Sequence, residues 1–221
     1  SPDDRGERYI SQDTVENAMQ QRLPVYDKNG DQHYDTVSAF IKSMRGSDPD
    51  AAIYWLARMI EAGEDPLFIA RRLIILAAED VGMADPRALS IAVGAQQAVH
   101  FVGMPEGQIP LAEATIYLAT APKSNASYKA ILLAREDVKA TRNDPVPLHL
   151  RNPVTGLMKD IGYGDGYKYA HEYDGHFYPM QNLPDNLKGR QYYVPTDQGY
   201  EKTVSDRLSR WWHKKEQGDK E

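Results

Sequence analysis

Residues 66–81, Pro-Leu-Phe-Ile-Ala-Arg-Arg-Leu-Ile-Ile-Leu-Ala-Ala-Glu-Asp-Val, read as a helix apolar on nearly every face, and such a helix has to be buried. Asp65 stands at the N-cap and Pro66 at the first helical position, where a carboxylate oxygen takes a free backbone N–H and a missing proline N–H costs nothing. Gly82 marks the end. Eight large apolar side chains (Leu67, Phe68, Ile69, Leu73, Ile74, Ile75, Leu76 and Val81) favour burial by about 1.5–3 kcal/mol each, against about 1 kcal/mol for the cap. Burial makes this helix central; the cap decides only where it begins. Arg71, Arg72, Glu79 and Asp80 interrupt its apolar character, and charges on a core helix are costly unless paired. They are therefore candidate interface residues, meeting partners on neighbouring helices or on another subunit. Arg72 and Glu79, seven residues apart, share a face of a regular helix but lie about 10 Å apart along it, too far to pair.

The same punctuation recurs on both sides. Asp48-Pro49, Asp65-Pro66 and Asp85-Pro86 each open an apolar run, and Gly63, Gly82 and Gly103 close the runs, which gives three helices joined by short loops. The first carries Ile53, Leu56, Met59 and Ile60 as a stripe, extended by Tyr54 and Trp55. In the third, Ala88, Ala92, Ala95 and Ala98 with Gly94 permit close helix approach, while Leu89, Ile91, Val93, Val99 and Phe101 are expected to fill the core. Ahead of these, His33 to Arg45 places Val37, Phe40, Ile41 and Met44 at helical spacing. After them come helices at about Pro110 to Ala121 and Ser124 to Ala140, separated by Pro122. Residues 11–21 form a short helix with Ser11 as N-cap and an Ile10/Val15 staple, and Leu23 to Gln32 is a linker with an Asn29-Gly30 turn.

Beyond residue 141 prolines and glycines alternate too densely for long regular elements, yet eight of the 14 tyrosines fall between Tyr163 and Tyr200. This is an ordered, irregular extension. It ends in a helix from about Asp197 to Lys214 whose Tyr200, Val204, Leu208 and Trp211 stripe needs a surface to bury against. The expected fold is mainly α.

Composition narrows the function. With no cysteine, disulfides and thiolate metal sites are excluded, in keeping with a reducing compartment. No apolar run approaches the ~20 residues of a membrane span, no signal peptide is visible in the polar first residues, and a cytoplasmic location is expected. The start Ser-Pro-Asp-Asp, without Met, points to a fragment or a processed chain. Net charge is -6: residues 1–140 carry 14 Lys/Arg against 20 Asp/Glu and the remainder 12 of each, so neither part has the basic excess of a domain dedicated to nucleic acid.

Catalytic patterns are missing from the sequence. It has no phosphate-binding G-x-x-x-x-G-K-[ST] loop, no G-x-G-x-x-G after a strand, no H-E-x-x-H, no nucleophile elbow and no EF-hand loop. Gly162-Tyr-Gly-Asp-Gly166 is either a phosphate cradle or a turn under aromatics, and it lacks the strand a cradle follows. His171 and His176, near Glu172 and Asp174, have the composition of a metal pair but only common loop spacing. Glu79/Asp80 and Glu136/Asp137 are adjacent on helices and point about 100° apart, so neither pair shares a proton. Lys123, Lys129, Arg135 and Lys139 suggest a basic track that Glu136 and Asp137 interrupt, as on a solvated helix face. Tyr167, Lys168, Tyr169 and His171 interleave aromatic and basic groups as single-stranded nucleic-acid sites do, though Asp165, Glu172 and Asp174 flank them; the competing reading is that these tyrosines pack the extension.

Several long strings bear a resemblance to one family. Arg45-Gly-Ser-Asp-Pro-Asp-Ala-Ala-Ile-Tyr-Trp-Leu-Ala-Arg58, Ile69-Ala-Arg-Arg-Leu73, Ala95-Gln-Gln-Ala-Val-His-Phe-Val-Gly-Met-Pro-Glu-Gly107, Tyr117-Leu-Ala-Thr-Ala-Pro-Lys-Ser-Asn125, Pro147-Leu-His-Leu-Arg-Asn152 and Gly166-Tyr-Lys-Tyr-Ala-His171 occur in order and span nearly the whole chain. They resemble the C-terminal region of the MgsA/RarA family of replication-associated recombination AAA+ ATPases, akin to the Werner helicase-interacting protein. The resemblance implies a clamp-loader-like helical collar bundle. Residues 1–22 would be the tail end of an AAA+ lid, 23–141 the collar through which subunits oligomerise, and 142–221 the extension. It also implies a homotetramer, ATP and magnesium bound by a parent protein whose ATPase core precedes residue 1, and action on fork DNA with single-stranded DNA-binding protein in a nucleoid-associated, cytoplasmic setting. Walker A, Walker B and arginine-finger positions have no counterpart here, so this stretch is expected to hold no cofactor and no metal, to have no membrane partner, and not to hydrolyse ATP. The rival expectation is a module that binds single-stranded DNA or a partner protein through the tyrosine-rich extension; a third is a hydrolase built on carboxylates of the bundle.

Overall fold

The computed structural model describes residues 31–141 and 144–218, with side chains described to Trp211 apart from those of residues 31 and 32. The helix expected at residues 11–21 and most of the linker after it lie outside the described residues. The described residues hold eight α-helices and no strand: α1 (Asp31–Arg45), α2 (Pro49–Glu61), α3 (Pro66–Leu76), α4 (Ala88–Val102), α5 (Gln108–Thr120), α6 (Ala126–Ala140), α7 (Gly156–Asp160) and α8 (Tyr200–Gly218). The fold is mainly α, as expected. None of the described helices is long and apolar enough to cross a membrane.

The Asp-Pro punctuation works as local chemistry predicts. Asp48 Oδ1 accepts the Ala51 N–H at 2.9 Å, Asp65 Oδ1 accepts the Leu67 N–H at 2.9 Å, and Asp85 Oδ1 accepts the Arg87 N–H at 3.1 Å. Helix α4 starts at Ala88 rather than at Pro86, because residues 85–87 form a turn closed by the Ala88 N–H on Asp85 O.

The structure divides into two compact units, one comprising the described residues up to 74 with 92–120, the other 75–91 with 121–218. In the first, α1, α2 and α5 pack on one another. Its core is Phe40, Met44, Leu56, Met59, Ile69, Leu73, Leu111 and Leu118, all buried. In the second, α6 and α8 contact the segment 82–84, α6 also contacts 77–81, and residues 144–199 run as an irregular chain with four 3₁₀ turns.

Several expectations about burial and regularity are corrected. The run 66–81 is not buried on every face: Ile69, Leu73, Leu76 and Val81 are buried, Leu67, Phe68 and Ile74 partly exposed, and Ile75 exposed. Nor is it one regular helix. After Leu76 it widens to a π turn over Ala77–Val81, closed by the Gly82 N–H on Ala77 O, so the seven-residue register that placed Arg72 and Glu79 on one face does not hold. In α4 the expected core residues Leu89 and Phe101 are exposed and Ile91 and Val93 half-exposed, whereas Ala88, Ala92, Ala95 and Val99 are buried. Apart from Val99, which is buried as expected, the alanines face inward and the larger side chains outward. Tyr54 is also exposed, and it does not extend the α2 stripe. On α8 the Tyr200, Val204, Leu208, Trp211 stripe is only partly covered, Trp211 stacking on Phe177 at 5.5 Å; among its described side chains the buried one is Glu201.

Candidate assembly surface

The inverted sidedness of α4 culminates at the corner where it meets α5. Phe101 is 91% exposed and Ile109 66%, with Val102 and Met104 exposed between them. The corner is rigidly built within the first unit. The Gly103 N–H donates to Val99 O (2.9 Å), Gly107 to Gly103 O (2.6 Å) and Ile109 to Glu106 O (3.0 Å). A Cβ on Gly107 would stand 2.7 Å from Gly103 O, so the turn admits only glycine there. It is also nearly free of charge: between Arg87 and Lys123 the sequence holds no Lys or Arg, and only Glu106 and Glu113 as acids. A large apolar surface with few charges to desolvate can associate at low cost. The sequence carried this signal in the missing charge, but its helical period alone assigned the large residues to the core.

The charges of the central run are placed differently. Arg71 and Arg72 share one aromatic ring, their guanidinium carbons lying 5.6 Å and 4.9 Å from the Phe68 centroid. Arg71 also reaches Asp65 at 3.6 Å, and Arg72 Nε is buried without a hydrogen-bond partner. The His33 ring lies 5.5 Å from Phe68, and its Nδ1 is 2.8 Å from Glu64 Oε2. Glu79 and Asp80 sit half-buried on the π turn, in the second unit. The Asp80 carbonyl accepts the Ser124 N–H at 2.7 Å. Nearby, burial lowers the Lys123 ammonium pKa, while the Asp80 carboxylate opposes that shift. Lys123 Nζ donates to Ala121 O at 2.6 Å, which sets it apart from Lys129, Arg135 and Lys139 on α6.

The extension holds the second sequence candidate. Tyr167, Lys168, Tyr169 and His171 are all exposed. Their neighbours do pack: Tyr163 accepts from Arg151 at 3.2 Å under its guanidinium, and Tyr173 meets Tyr178 at 4.5 Å. Tyr169, His171 and His176 form a chain of ring contacts with centroids 5.1 and 5.0 Å apart. Among the described residues no group of three or more His, Cys, Asp or Glu is placed to hold a metal ion. The glycine-dense turn does not fit a nucleotide either. It follows α7, a helix of five residues, and its Gly164 N–H already donates to Leu148 O at 2.9 Å.

Sequence reasoning missed the centre of the second unit. Glu201, fully buried, accepts from Ser124 Oγ (2.7 Å), Thr196 N–H (2.8 Å) and Thr196 Oγ1 (2.7 Å) on one oxygen, and from the Tyr193 hydroxyl (3.1 Å) on the other. Burial alone would push the carboxyl up; the four donors outweigh it and hold it below the usual glutamate range. Gly199, at φ +51°, lets α8 begin against Ala84 O and Pro122, where a Cβ would overlap both. The network ties α8 to the loop before α6.

Comparison with known proteins places the chain in a family. The model described as the C-terminal domain of the MgsA AAA+ ATPase matches residues 46–212, and one described as an AAA C-terminal domain matches residues 1–45, the two meeting where α1 ends. The chain is 52% identical to an AAA domain-containing protein of Mycobacterium tuberculosis over 91% of its length and 44% of the relative's. It is 44% identical to replication-associated recombination protein A of Coxiella burnetii over 93% of its length and 47% of the relative's. It is also 44% identical to the ATPase WRNIP1 of Dictyostelium discoideum, over 79% of this chain and 20% of that one. It thus spans less than half the length of these relatives. With a family model covering most of its residues, the chain belongs to the MgsA AAA+ ATPase C-terminal family.

Proposed function

We propose that this chain is the oligomerisation module, or collar, of an AAA+ ATPase that acts on DNA in replication, recombination and repair at stalled forks, and that it performs no catalysis itself. The observation that carries the reading is the α4–α5 corner, with Phe101 91% exposed on a stretch almost without charge. Burying such side chains against a second copy gains roughly 25 cal/mol per Å² of apolar surface, which an isolated chain leaves ungained. The mechanism is geometric. Collar contacts hold several ATPase cores side by side, so that each core senses its neighbour and the DNA between them; ATP and magnesium belong to those cores. The test is native mass by light scattering across concentration and salt. A homotetramer is expected, and Phe101→Asp with Ile109→Asp should dissociate it without changing the far-ultraviolet circular dichroism. A wild-type chain that stays monomeric at every concentration overturns the reading.

A second reading has its own observation, the exposed Tyr167, Lys168, Tyr169 and His171. On this reading the extension stacks single-stranded bases on its tyrosines while Lys168 meets a phosphate. A labelled oligothymidylate titrated at low salt tests it: binding lost in Lys168→Ala and Tyr169→Ala supports it, and no binding removes it.

A further inference from the structure

Helix α6 has the same inversion as α4, with different chemistry. Its half-covered residues Ala130, Ala134 and Asp137 follow the buried Ala126 at helical spacing. The opposite side carries Tyr128, Ile131, Leu132 and Val138, all exposed, Ile131 at 55% and Val138 at 67%. Within that stripe, seven and eleven residues after Tyr128, stand the exposed Arg135 and Lys139. Lys129 and Glu136 flank it. The other acid of the helix, Asp137, is engaged by Arg190 at 2.7 Å and by the Tyr192 hydroxyl at 2.9 Å. The outward face is therefore apolar and net positive.

These features select among occupants. A second copy would set the cations of one face against those of the other, a like-charge juxtaposition that opposes pairing. A lipid surface accommodates cations at the margin of an apolar face, whereas Arg135 and Lys139 occupy the middle of this one and would be carried into the acyl region. A helix with large apolar side chains and carboxylates one turn apart meets both requirements, filling the space beside Tyr128 and Leu132 while pairing with Arg135 and Lys139. We propose that the outward face of α6 is a docking site for an acidic amphipathic helix of another protein, separate from the α4–α5 corner.

The test is fluorescence anisotropy with a labelled synthetic peptide helix bearing leucines on one face and glutamates beside them, and with its twin in which lysine replaces every glutamate. The wild-type chain should bind the acidic peptide at low salt and not the lysine twin. Arg135→Glu with Lys139→Glu should weaken acidic-peptide binding by at least about tenfold, as expected for losing close charge pairs, and shift preference to the twin. Phe101→Asp should leave it unchanged, so failure here and failure of the collar reading are told apart. All of these side chains are exposed, and an unchanged circular dichroism spectrum keeps the variants interpretable. Equal binding of the two peptides, or an unaffected double variant, overturns the proposal. So does a fall in the native mass of the double variant, which would make the face a contact between copies. Binding of phosphatidylserine vesicles that the double variant loses overturns it as well.

Discussion

The two units of the molecule are stabilised by different physics. The first buries Phe40, Met44, Met59, Ile69, Leu73, Leu111 and Leu118 almost completely, while among the described residues the large side chains buried to the same degree in the second are Leu76, Val81 and Glu201. Where one unit relies on apolar area, the other relies on direction: four donors on one carboxylate, a glycine that lets backbones touch, and a partly exposed Arg190–Asp137–Tyr192 cluster. Apolar burial is indifferent to pH and tolerant of small shifts; a hydrogen-bonded carboxylate is neither. The contrast makes the second unit the one that responds to its surroundings.

The largest effects test the first half of the contrast. Leu118→Ala and Leu73→Ala should each cost about 2–5 kcal/mol in denaturant unfolding, since each removes a fully buried side chain from a packed core. A loss below about 1 kcal/mol would mean that the first unit is loosely packed and the contrast false. Next comes Glu201→Gln. It keeps the shape but presents an amide where Ser124 and Thr196 both donate, and should cost about 1–3 kcal/mol at neutral pH. The sign of its pH dependence follows from a folded pKa held below the unfolded one. The contribution of the carboxylate is complete above the ordinary glutamate range and is lost as pH falls through the folded value. In acid, the wild type should therefore converge on Glu201→Gln, and parallel stability profiles would refute the assignment.

How much of this was legible in the sequence differs between the units for a physical reason. Helix starts were readable because capping is local: Asp48 and Asp65 act within three residues of themselves. Sidedness was not, because in α4 the alanines and the large residues recur with the same period, and only tertiary packing decides which stripe turns inward. The Glu201 network was invisible for another reason. Its Ser124 partner lies 77 residues away, and an acid in the first turn of a helix already has an ordinary explanation in the helix dipole. Of the charged candidates, Arg71, Arg72, Glu79 and Asp80 stood out only as charges on an apolar run, and the run says nothing of their surroundings. What they found was a phenylalanine ring for the arginines, and a π turn that changed the register for the acids.

Two smaller effects sharpen the comparison inside the second unit. Tyr193→Phe removes one donor of the four and should cost about 1 kcal/mol. Burial, helped by the hydrogen bond to Glu201, raises the Tyr193 hydroxyl to about 12. Its stabilisation is thus whole below the ordinary tyrosine pKa and disappears as pH climbs from there to about 12, a window that Tyr193→Phe should erase from the alkaline profile. Arg190→Ala should have the least effect of all. Its bond to Asp137 is short, and with Tyr192 it holds that carboxyl below the usual range, yet the guanidinium is nearly half exposed and its solvation replaces most of what the pair supplies. Added salt should weaken what remains, whereas it should leave the buried Glu201 network unchanged. Equal salt sensitivity of Arg190→Ala and Glu201→Gln would show that the second unit has no protected centre and is held together at its surface.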